Sequence, residues 1–373
     1  MSAIEEKQPA LTREHEMPKP HQTNGSDFSD AENDPRAESR LVRKLDLIIF
    51  PTFFVIYMMS FLDRINISNA RIQGMVEDLD LTGNKFNIAL FTYYISYILL
   101  EVPSNMVIKR FSPFLVPVDS DVLLGHYQYA GVLPGIIYVT SMYYKRHEYQ
   151  KRMSFFFCST VVAGAFGGLL AYAISKLGGQ HRLAAWRWIF IIEGAITSTF
   201  AIFAAFLIID WPEQTKYLTA EEKELLRRRL AADIVETCRM DVLNKASFQR
   251  IISDCKIWLG ALIYMGVGVP GLSGTFFLPT ILLEFNWKAQ EAQVRTIPVY
   301  VLAGGTMVIG AWASDKLRHR FSFFVAGTSM VTIGYGMLLA QEGKSRDYKF
   351  GAVFLVFGGA YMCYAHGACM ASE

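Results

Sequence analysis

The stretch Trp188–Ile209, WIFIIEGAITSTFAIFAAFLII, decides the fold class of this chain. It holds 22 residues, and about 20 largely apolar residues let an α-helix cross the hydrocarbon core of a bilayer. Glu193 is the one charged residue in the run. A soluble protein can bury one such helix in its core, so this segment alone does not exclude a soluble fold.

Comparable apolar segments recur from residue 45 onward, and together they exclude a soluble fold. The other clear candidates for membrane spans are Leu47–Leu62, Phe86–Ile108, Met153–Ser175, Ile257–Leu283, Thr296–Ser314, Phe321–Gln341 and Phe350–Ser372. A ninth segment, Val122–Tyr144, is weaker because it carries His126, Gln128 and Pro134. A soluble core does not accommodate so many long apolar helices. The sequence therefore predicts an all-α polytopic protein that is integral to a lipid bilayer.

Composition agrees with this class and excludes several functions. Hydrophobic residues make up 52% of the chain and charged residues 19%, where soluble domains carry about 25% charged residues. The net charge of +2 gives no indication of a nucleic-acid partner. The five cysteines have no paired spacing, and no metal-ligand cluster, nucleophile–base pair or phosphate-binding loop is evident. We therefore expect no metal, no cofactor and no catalytic residues, and we rank an enzyme last among the candidate functions.

Polar stretches divide the chain into four parts. Residues 1–44 are polar and lack the apolar core of a signal peptide, which predicts a disordered cytosolic tail. An N-terminal helix bundle at 45–209 and a C-terminal helix bundle at 257–373 flank a polar linker at 210–256. Two bundles joined by a cytosolic linker are a common plan in transporters.

The linker contains a predicted amphipathic helix. Thr219 and Glu222 have the spacing of a capping box, in which each side chain satisfies a backbone N–H of the other residue. The helix that follows carries Arg227, Arg228 and Arg229. We interpret this triplet as a solvated face that suits an anionic inner leaflet.

Basic residues in the short loops predict the orientation, because Lys and Arg are enriched on the cytosolic side. They place the N-terminus in the cytosol, together with Lys109–Arg110 and Lys145–Arg152. The chain between these two basic groups must then cross the membrane an even number of times. Residues 111–144 number 34, too few for two spans of about 20 residues and a turn, and they contain one span-like run. The sequence predicts that part of the helix set is missing here.

Polar side chains within the spans are candidates for a substrate or proton pathway, because charge facing lipid costs a few kcal/mol or more. The candidates are Asp63, Arg64, Asn66, Glu101, Asn105 and Glu193. Structural roles remain open for them. Asp63 and Arg64 can satisfy each other or the helix end at the outer interface, and Glu101 can brace neighbouring helices. Glu193 lies near the outer end of its span, where a structural role is favoured over a chemical one.

Gly164, Gly167 and Gly168 form a cluster of small residues within one predicted span. Small residues at this spacing let the backbones of membrane helices approach each other closely. The cluster therefore predicts helix packing and not a cofactor site.

An ordered set of short motifs resembles the major facilitator superfamily, in particular its fungal anion:cation symporter (allantoate permease-like) branch. The motifs are LDRINISNAR at 62–71, EVPSN at 101–105, YKRHE at 144–148, WRWIFIIEG at 186–194, DWPE at 210–213 and FLPT at 277–280. The stretch 314–320 resembles the family's gating loop, although Ala311 stands where glycine is usual. By this resemblance the gating residues are Asp315, Lys316, Arg318 and Arg320.

The resemblance implies a major facilitator fold of two helix bundles, of whose twelve spans about 8–9 are present in this chain. It implies a monomer in the plasma membrane that couples the uptake of a small organic anion or vitamin-like carboxylate to protons. Family substrates include ureido acids and nicotinate-, pantothenate- and biotin-type carboxylates. In such a transporter a buried basic group meets the carboxylate and a buried acid carries the proton.

The chain also departs from the family pattern. The third span and the start of the fourth are missing around residues 111–129, and Tyr129 stands where the family usually has glutamate. By the same comparison, the C-terminal bundle at 257–373 is expected to be truncated after about the tenth span. An alternative function is therefore a non-transporting, truncated or sensor-type membrane protein of the same family.

Overall fold

The computed structural model of the protein describes residues 35–110, 135–137, 139–207, 212, 215–236, 249, 252–317 and 319–370. Within these residues the architecture is helical throughout, with no β-strand. Its nine long helices are α1 (Pro35–Ala70), α2 (Lys85–Arg110), α3 (Arg146–Ser175), α4 (Ala185–Leu207), α5 (Ala220–Glu236), α6 (Cys255–Glu284), α7 (Ala289–Leu317), α8 (Arg320–Leu339) and α9 (Arg346–Met370). A short helical segment at 135–137 and 139–143 precedes α3.

The eight clear spans predicted from the sequence each overlap one of the helices α1 to α4 and α6 to α9, several of which extend beyond the predicted bounds. In the part of the chain that the structure describes, five helices are long and apolar enough to cross a membrane, namely α1, α3, α6, α7 and α8. Large apolar side chains such as Phe321, Ile333 and Leu339 point outward from α8, as expected for helices surrounded by lipid. The predicted class, an all-α multi-pass membrane protein, is confirmed.

The N-terminal boundary of the first helix differs from the prediction. α1 begins at Pro35, whereas the sequence predicts a disordered tail up to residue 44. A proline suits the first position of a helix, where its missing N–H is not needed. Leu41 and Leu45 are only 2% and 1% exposed, because they pack against Leu226 of α5 and Tyr144. The first residues of α1 form an amphipathic helix segment, and its outer face is too polar for the sequence to predict it as part of a membrane span.

α1 also extends past its predicted end at Leu62 and is followed by a π-helical turn, Arg71–Met75. Gly74 has a φ of +95° in this turn, a left-handed conformation that glycine adopts without a steric penalty. Asp63 and Arg64 consequently lie inside the helix and not at its end.

The helices alternate in direction. Lys44 on α1 bonds Glu222 of α5 at 2.7 Å, and Lys145, just before α3, bonds Glu38 at 2.8 Å. We call this end of the bundle the linker side and the opposite end the far side. α4 begins on the far side, where the Trp186 indole Nε1–H donates to Asp78 at 2.8 Å.

We call the bundles at 45–209 and 257–373 the N-terminal and C-terminal halves. Two main clusters of buried apolar side chains stabilise them. The first lies on the linker side of the N-terminal half and joins α1, α3, the segment before α3 and α5. The second centres on α6, α7 and α9 and includes Val161 of α3. α3 thus contributes to both clusters and, with α1, packs across to the C-terminal half.

Close contact between the halves depends on glycines of α3. A Cβ at Gly164 would lie 2.3 Å from Cε1 of Tyr300 on α7, and one at Gly168 would lie 2.3 Å from Oγ1 of Thr296. A Cβ at Gly167 would instead lie 3.0 Å from Cδ1 of Leu62 on α1. The prediction of close packing at this cluster is confirmed, and the cluster serves two interfaces at once.

The linker helix α5 is docked on the N-terminal half. The predicted capping box is present, since the Thr219 N–H donates to Glu222 at 2.9 Å and the Glu222 N–H donates to Thr219 Oγ1 at 3.3 Å. The Lys44 ammonium and the Thr219 N–H hold the pKa of Glu222 below its ordinary value, because both donate to its charged form.

The arginine triplet of α5 does not form one solvated face. Arg227 and Arg228 are exposed, but the side chain of Arg229 is only 3% exposed and bonds Glu38 of α1 at 2.6 Å and Glu148 of α3. The triplet prediction is therefore wrong for Arg229. Successive residues on a helix point about 100° apart, so three adjacent arginines cannot share a face.

The predicted loss of spans falls largely outside the described residues. The sequence places it around 111–129, and residues 111–134 are not described. α2 begins on the far side, where Phe86 packs on Arg71, and its 26 residues are long enough, at about 1.5 Å each, to reach the linker side. α3 also starts on the linker side, so α2 ends on the side where α3 begins.

Candidate functional site

The two charged residues Asp63 and Arg64 of α1 point to different neighbours. The Thr197 hydroxyl of α4 donates to Asp63 Oδ1 at 3.3 Å and also contacts the backbone carbonyl of Glu193. Asp63 acts electrostatically on Glu193, which is fully buried. The structure therefore brings two of the predicted site residues, Asp63 and Glu193, together across the contact between α1 and α4.

Arg64 lies on the other face of α1, toward a group of tyrosines. Its guanidinium sits over the ring of Tyr97 on α2, 4.9 Å from the ring centroid. It also interacts electrostatically with Tyr57, which in turn interacts with Tyr97, Tyr264 of α6 and Tyr361 of α9. These side chains come from both halves of the molecule, so Arg64 borders the space between them.

The remaining candidates fall into two groups. Asn66 is 2% exposed on α1, and its side-chain oxygen lacks a hydrogen-bond partner among the described residues. Glu101 and Asn105 lie in α2, but their side chains are outside the part that the structure describes.

The predicted gating residues lie at the linker-side end of α7. The stretch predicted as a loop is mostly helical, because α7 continues to Leu317 and α8 starts at Arg320. Lys316 is exposed, with its ammonium 5.0 Å from the centroid of Trp312. The side chains of Asp315, Arg318 and Arg320 lie outside the described part. These residues are distant from Asp63 and Glu193, which lie toward the far side.

Polar contacts that the sequence does not predict join the halves on the far side. The Gln73 amide of the π-helical turn donates to Gln293 of α7 at 3.1 Å. Arg71 stacks on Phe86 and on Phe277 of α6 at 4.3 and 5.6 Å. Arg71 is the last residue of the motif LDRINISNAR, but its position next to the kink at Gly74 is visible only in three dimensions.

Between α1, α3, α6 and α7 the halves meet in a narrow cleft that is packed too closely to admit a water molecule. Its lining combines Asn69 with Gly164, Gly168, Thr275 and Tyr300. The far side of the inter-half space is thus closed in this structure. Among the described residues, no group of three or more His, Cys, Asp or Glu side chains is placed to hold a metal ion.

Comparisons with known proteins agree with this architecture. The family model described as the Major Facilitator Superfamily matches residues 122–372. The MFS transporter prlL of Fungal sp. (strain NRRL 50135) is 30% identical over 355 residues, covering 88% of this chain and 72% of that protein. A high-affinity nicotinic acid transporter of Saccharomyces cerevisiae is 27% identical over 358 residues, covering 89% of this chain and 65% of that protein.

The fold has a counterpart among solved structures. A bacterial homologue of the human lysosomal transporter Spinster, in an inward-facing and unoccupied conformation, superposes with a TM-score of 0.58 at 15% sequence identity. The alignment covers 89% of this chain and 75% of that protein. At this identity the likeness concerns the fold.

Proposed function

The chain belongs to the Major Facilitator Superfamily, and from that membership we propose that it takes up a small organic carboxylate together with protons. The relatives it matches are transporters, so the protein is a transmembrane transporter by family and not an enzyme. The substrate class and the coupling ion are the parts that we propose. The branch is also our proposal, namely the fungal anion:cation symporters that the motifs resemble.

The position of Arg64 carries the proposal for the substrate class. A guanidinium inside a membrane protein is costly unless it has a function or a partner. Arg64 faces tyrosines of both halves and stacks on Tyr97 at 4.9 Å. Guanidinium groups bind carboxylates through two parallel hydrogen bonds, and a nearby ring supports a flat solute. A relative whose name gives nicotinic acid as its substrate supports the same class.

Two side chains support proton coupling. Asp63 and Glu193 are carboxyl groups within the membrane region, and Glu193 is fully buried. Intramembrane acids of this kind form proton relays in many transporters. Glu101 stays a further candidate from the sequence.

We propose that the protein lies in the plasma membrane with its N-terminus and α5 in the cytosol. The distribution of basic residues supports this orientation. Lys44, Lys145, Arg152 and Arg229 all lie on the linker side. Basic residues near span ends are enriched on the cytosolic side.

The test is uptake of radiolabelled carboxylates into vesicles that contain the purified full chain, with an inward proton gradient. We expect uptake that falls at least tenfold in Arg64→Gln, because the group that holds the carboxylate is lost. Arg64→Lys keeps the charge but loses the planar fork, and we expect it to raise KM.

Arg295→Gln is the matched control, since Arg295 also stacks on an aromatic ring, that of Trp287, at 4.8 Å. Arg295 lies near the start of α7 and away from Arg64, so uptake by the Arg295→Gln variant should match uptake by the original chain. Equal uptake in Arg64→Gln and Arg295→Gln would argue against a carboxylate site at Arg64.

A second candidate is a family member that associates with membranes without transporting. The observation in its favour is that α2 ends and α3 begins on the linker side, while only the 34 residues 111–144 separate Arg110 from Lys145. A variant with a family-like third and fourth span restored separates the two functions. Uptake by the restored variant alone would favour the second candidate, whereas equal uptake by both would favour transport by the chain as it is.

A further inference from the structure

Glu193 is the most completely buried acid that the structure describes. It lies on α4 about two turns from the far-side end, and it is 0% exposed. Neither carboxyl oxygen has a hydrogen-bond partner among the described residues. A carboxylate ion without donors in an apolar interior is very costly, and such a group ordinarily becomes neutral. The geometry by itself therefore favours a protonated side chain in this conformation.

Among the described residues, the groups that act on Glu193 include no positive charge. α4 packs against α1, α3 and the π-helical turn. The charged groups on these elements in this region are Asp63 and Arg64 of α1 and Arg71 of the turn, while residues 155–175 of α3 contain no charged residue and carry Tyr172 as their one titratable side chain besides Cys158. Of these groups, Asp63 is the one whose charge acts on Glu193, and its sign is the same. Like charges at close range cannot both persist in a medium of low dielectric.

Asp63 is the other acid at this contact between α1 and α4. It is only partly buried, whereas Glu193 is fully buried. The Thr197 hydroxyl lies between them, bonded to Asp63 at 3.3 Å and in contact with the backbone carbonyl of Glu193. The hydroxyl therefore ties Asp63 to the turn of α4 that carries Glu193, which keeps the partly exposed acid beside the fully buried one.

We propose that Glu193 is the proton-carrying side chain of this transporter and that Asp63 is the group through which it loads and unloads. The inference deepens the proposed function and rests on its proton coupling. One proton from water on the far side, taken up while that side is open, binds the Glu193 carboxylate and makes a neutral acid. After the halves rock, the acid returns that proton through Asp63 to water on the other side and is again a carboxylate. No other bond forms or breaks.

The first experiment does not depend on transport. Infrared spectra of the purified full chain at neutral pH should contain the C=O band of a protonated carboxylic acid. This band should be lost in Glu193→Gln, whose carboxamide has the shape of the neutral acid, and retained in Glu291→Gln, which alters an exposed acid at the start of α7. A spectrum that does not change in Glu193→Gln overturns the proposal.

A chemical measurement on the unaltered chain covers the case in which Glu193→Gln does not fold. A hydrophobic carbodiimide reacts with protonated carboxyl groups in apolar surroundings, and mass spectrometry then locates the adduct. We expect the adduct on Glu193 and none on Glu291. Labelling that spares Glu193 while other acids of the membrane region react contradicts the proposal.

The second experiment uses vesicles and separates coupling from binding. Glu193→Gln should lose uptake driven by the proton gradient, at least tenfold, while it keeps the exchange of labelled for unlabelled solute at equal pH. Gradient-driven uptake at the original rate overturns the proposal. If the original chain exchanges no carboxylate, the proposed function fails, and the infrared band alone still decides whether Glu193 holds a proton.

Discussion

Gly168 of α3 lies where α7 passes close to its backbone. A Cβ at this position would be 2.3 Å from Thr296 Oγ1 and 2.8 Å from the backbone carbonyl of Gln293. The hydroxyl can rotate away, but the carbonyl belongs to the helix backbone and cannot. Gly168→Ala must therefore push the two helices apart, and we expect it to lower the thermal unfolding midpoint of the full chain in detergent by at least about 2 °C.

Gly305→Ala on α7 is the control for that substitution, because a Cβ there would meet nothing within 4 Å. Alanine favours a helix over glycine by about 1 kcal/mol in soluble helices, so the midpoint should stay the same or rise. The same loss in both variants would mean that the effect comes from the helix and not from its contact. The measurement is thermal unfolding followed by intrinsic fluorescence.

At the glycine cluster, the sequence predicts that helices pack closely but not which side chain each glycine meets. Small residues at 164, 167 and 168 predict a close approach, and the approach is present. The pattern could not predict that Gly167 faces Leu62 while Gly164 and Gly168 face Tyr300 and Thr296. Likewise, Glu193 is recognisable as an acid in a span, but its pairing with Asp63 depends on how α4 rotates against α1.

Among the elements, α5 is fixed to the N-terminal half by Arg229. This side chain is 3% exposed and bonds Glu38, which is 38% exposed, as well as Glu148. Removing one partner from a buried ion pair costs about 3–5 kcal/mol, and the partial exposure of Glu38 places this pair at the low end of that range. We expect Arg229→Gln to release α5, so that trypsin cleaves at Arg227 and Arg228 several times faster in the native protein.

Arg228→Gln provides the comparison for this release. Arg228 pairs with Glu224 at 3.0 Å on the exposed face of α5, and exposed pairs of this type contribute at most about 0.5 kcal/mol. Cleavage at Arg227 should then keep its original rate. Faster cleavage in this variant as well would show that helix stability, and not docking, controls access.

The positions of the helices follow from the sequence far better than their partners do. Apolar length is a local property, so all eight clear spans coincide with helices. Docking of α5 depends on Leu218 and Leu226 meeting Leu41 and Leu45 from a distant part of the chain. The sequence does not predict the start of α1 at Pro35 for the same reason. The apolar side chains of this first part of α1 are buried by α5 and not by lipid.

For the molecule as a whole, the halves make contact through α3 and α7 and through the Gln73–Gln293 hydrogen bond on the far side. Rocking of the halves must break this hydrogen bond if the far side is to open. The amide atoms are 3.1 Å apart, so a short reducible thiol cross-linker can join cysteines at the two positions. We make this prediction for a transporting form of the chain in which the native cysteines are replaced by serine.

We expect the cross-linked Gln73→Cys/Gln293→Cys variant to lose uptake and to recover it when the linker is reduced. Lys44→Cys/Glu222→Cys is the matched pair, because these side chains are as close, at 2.7 Å, but join α1 to the linker helix α5, which docks on the same half. Joining them leaves the halves free to move, and uptake should persist. Undiminished uptake with the far side cross-linked would mean that solute crosses without separation of Gln73 from Gln293, whereas loss in both pairs would implicate the cross-linker itself and not the far-side contact.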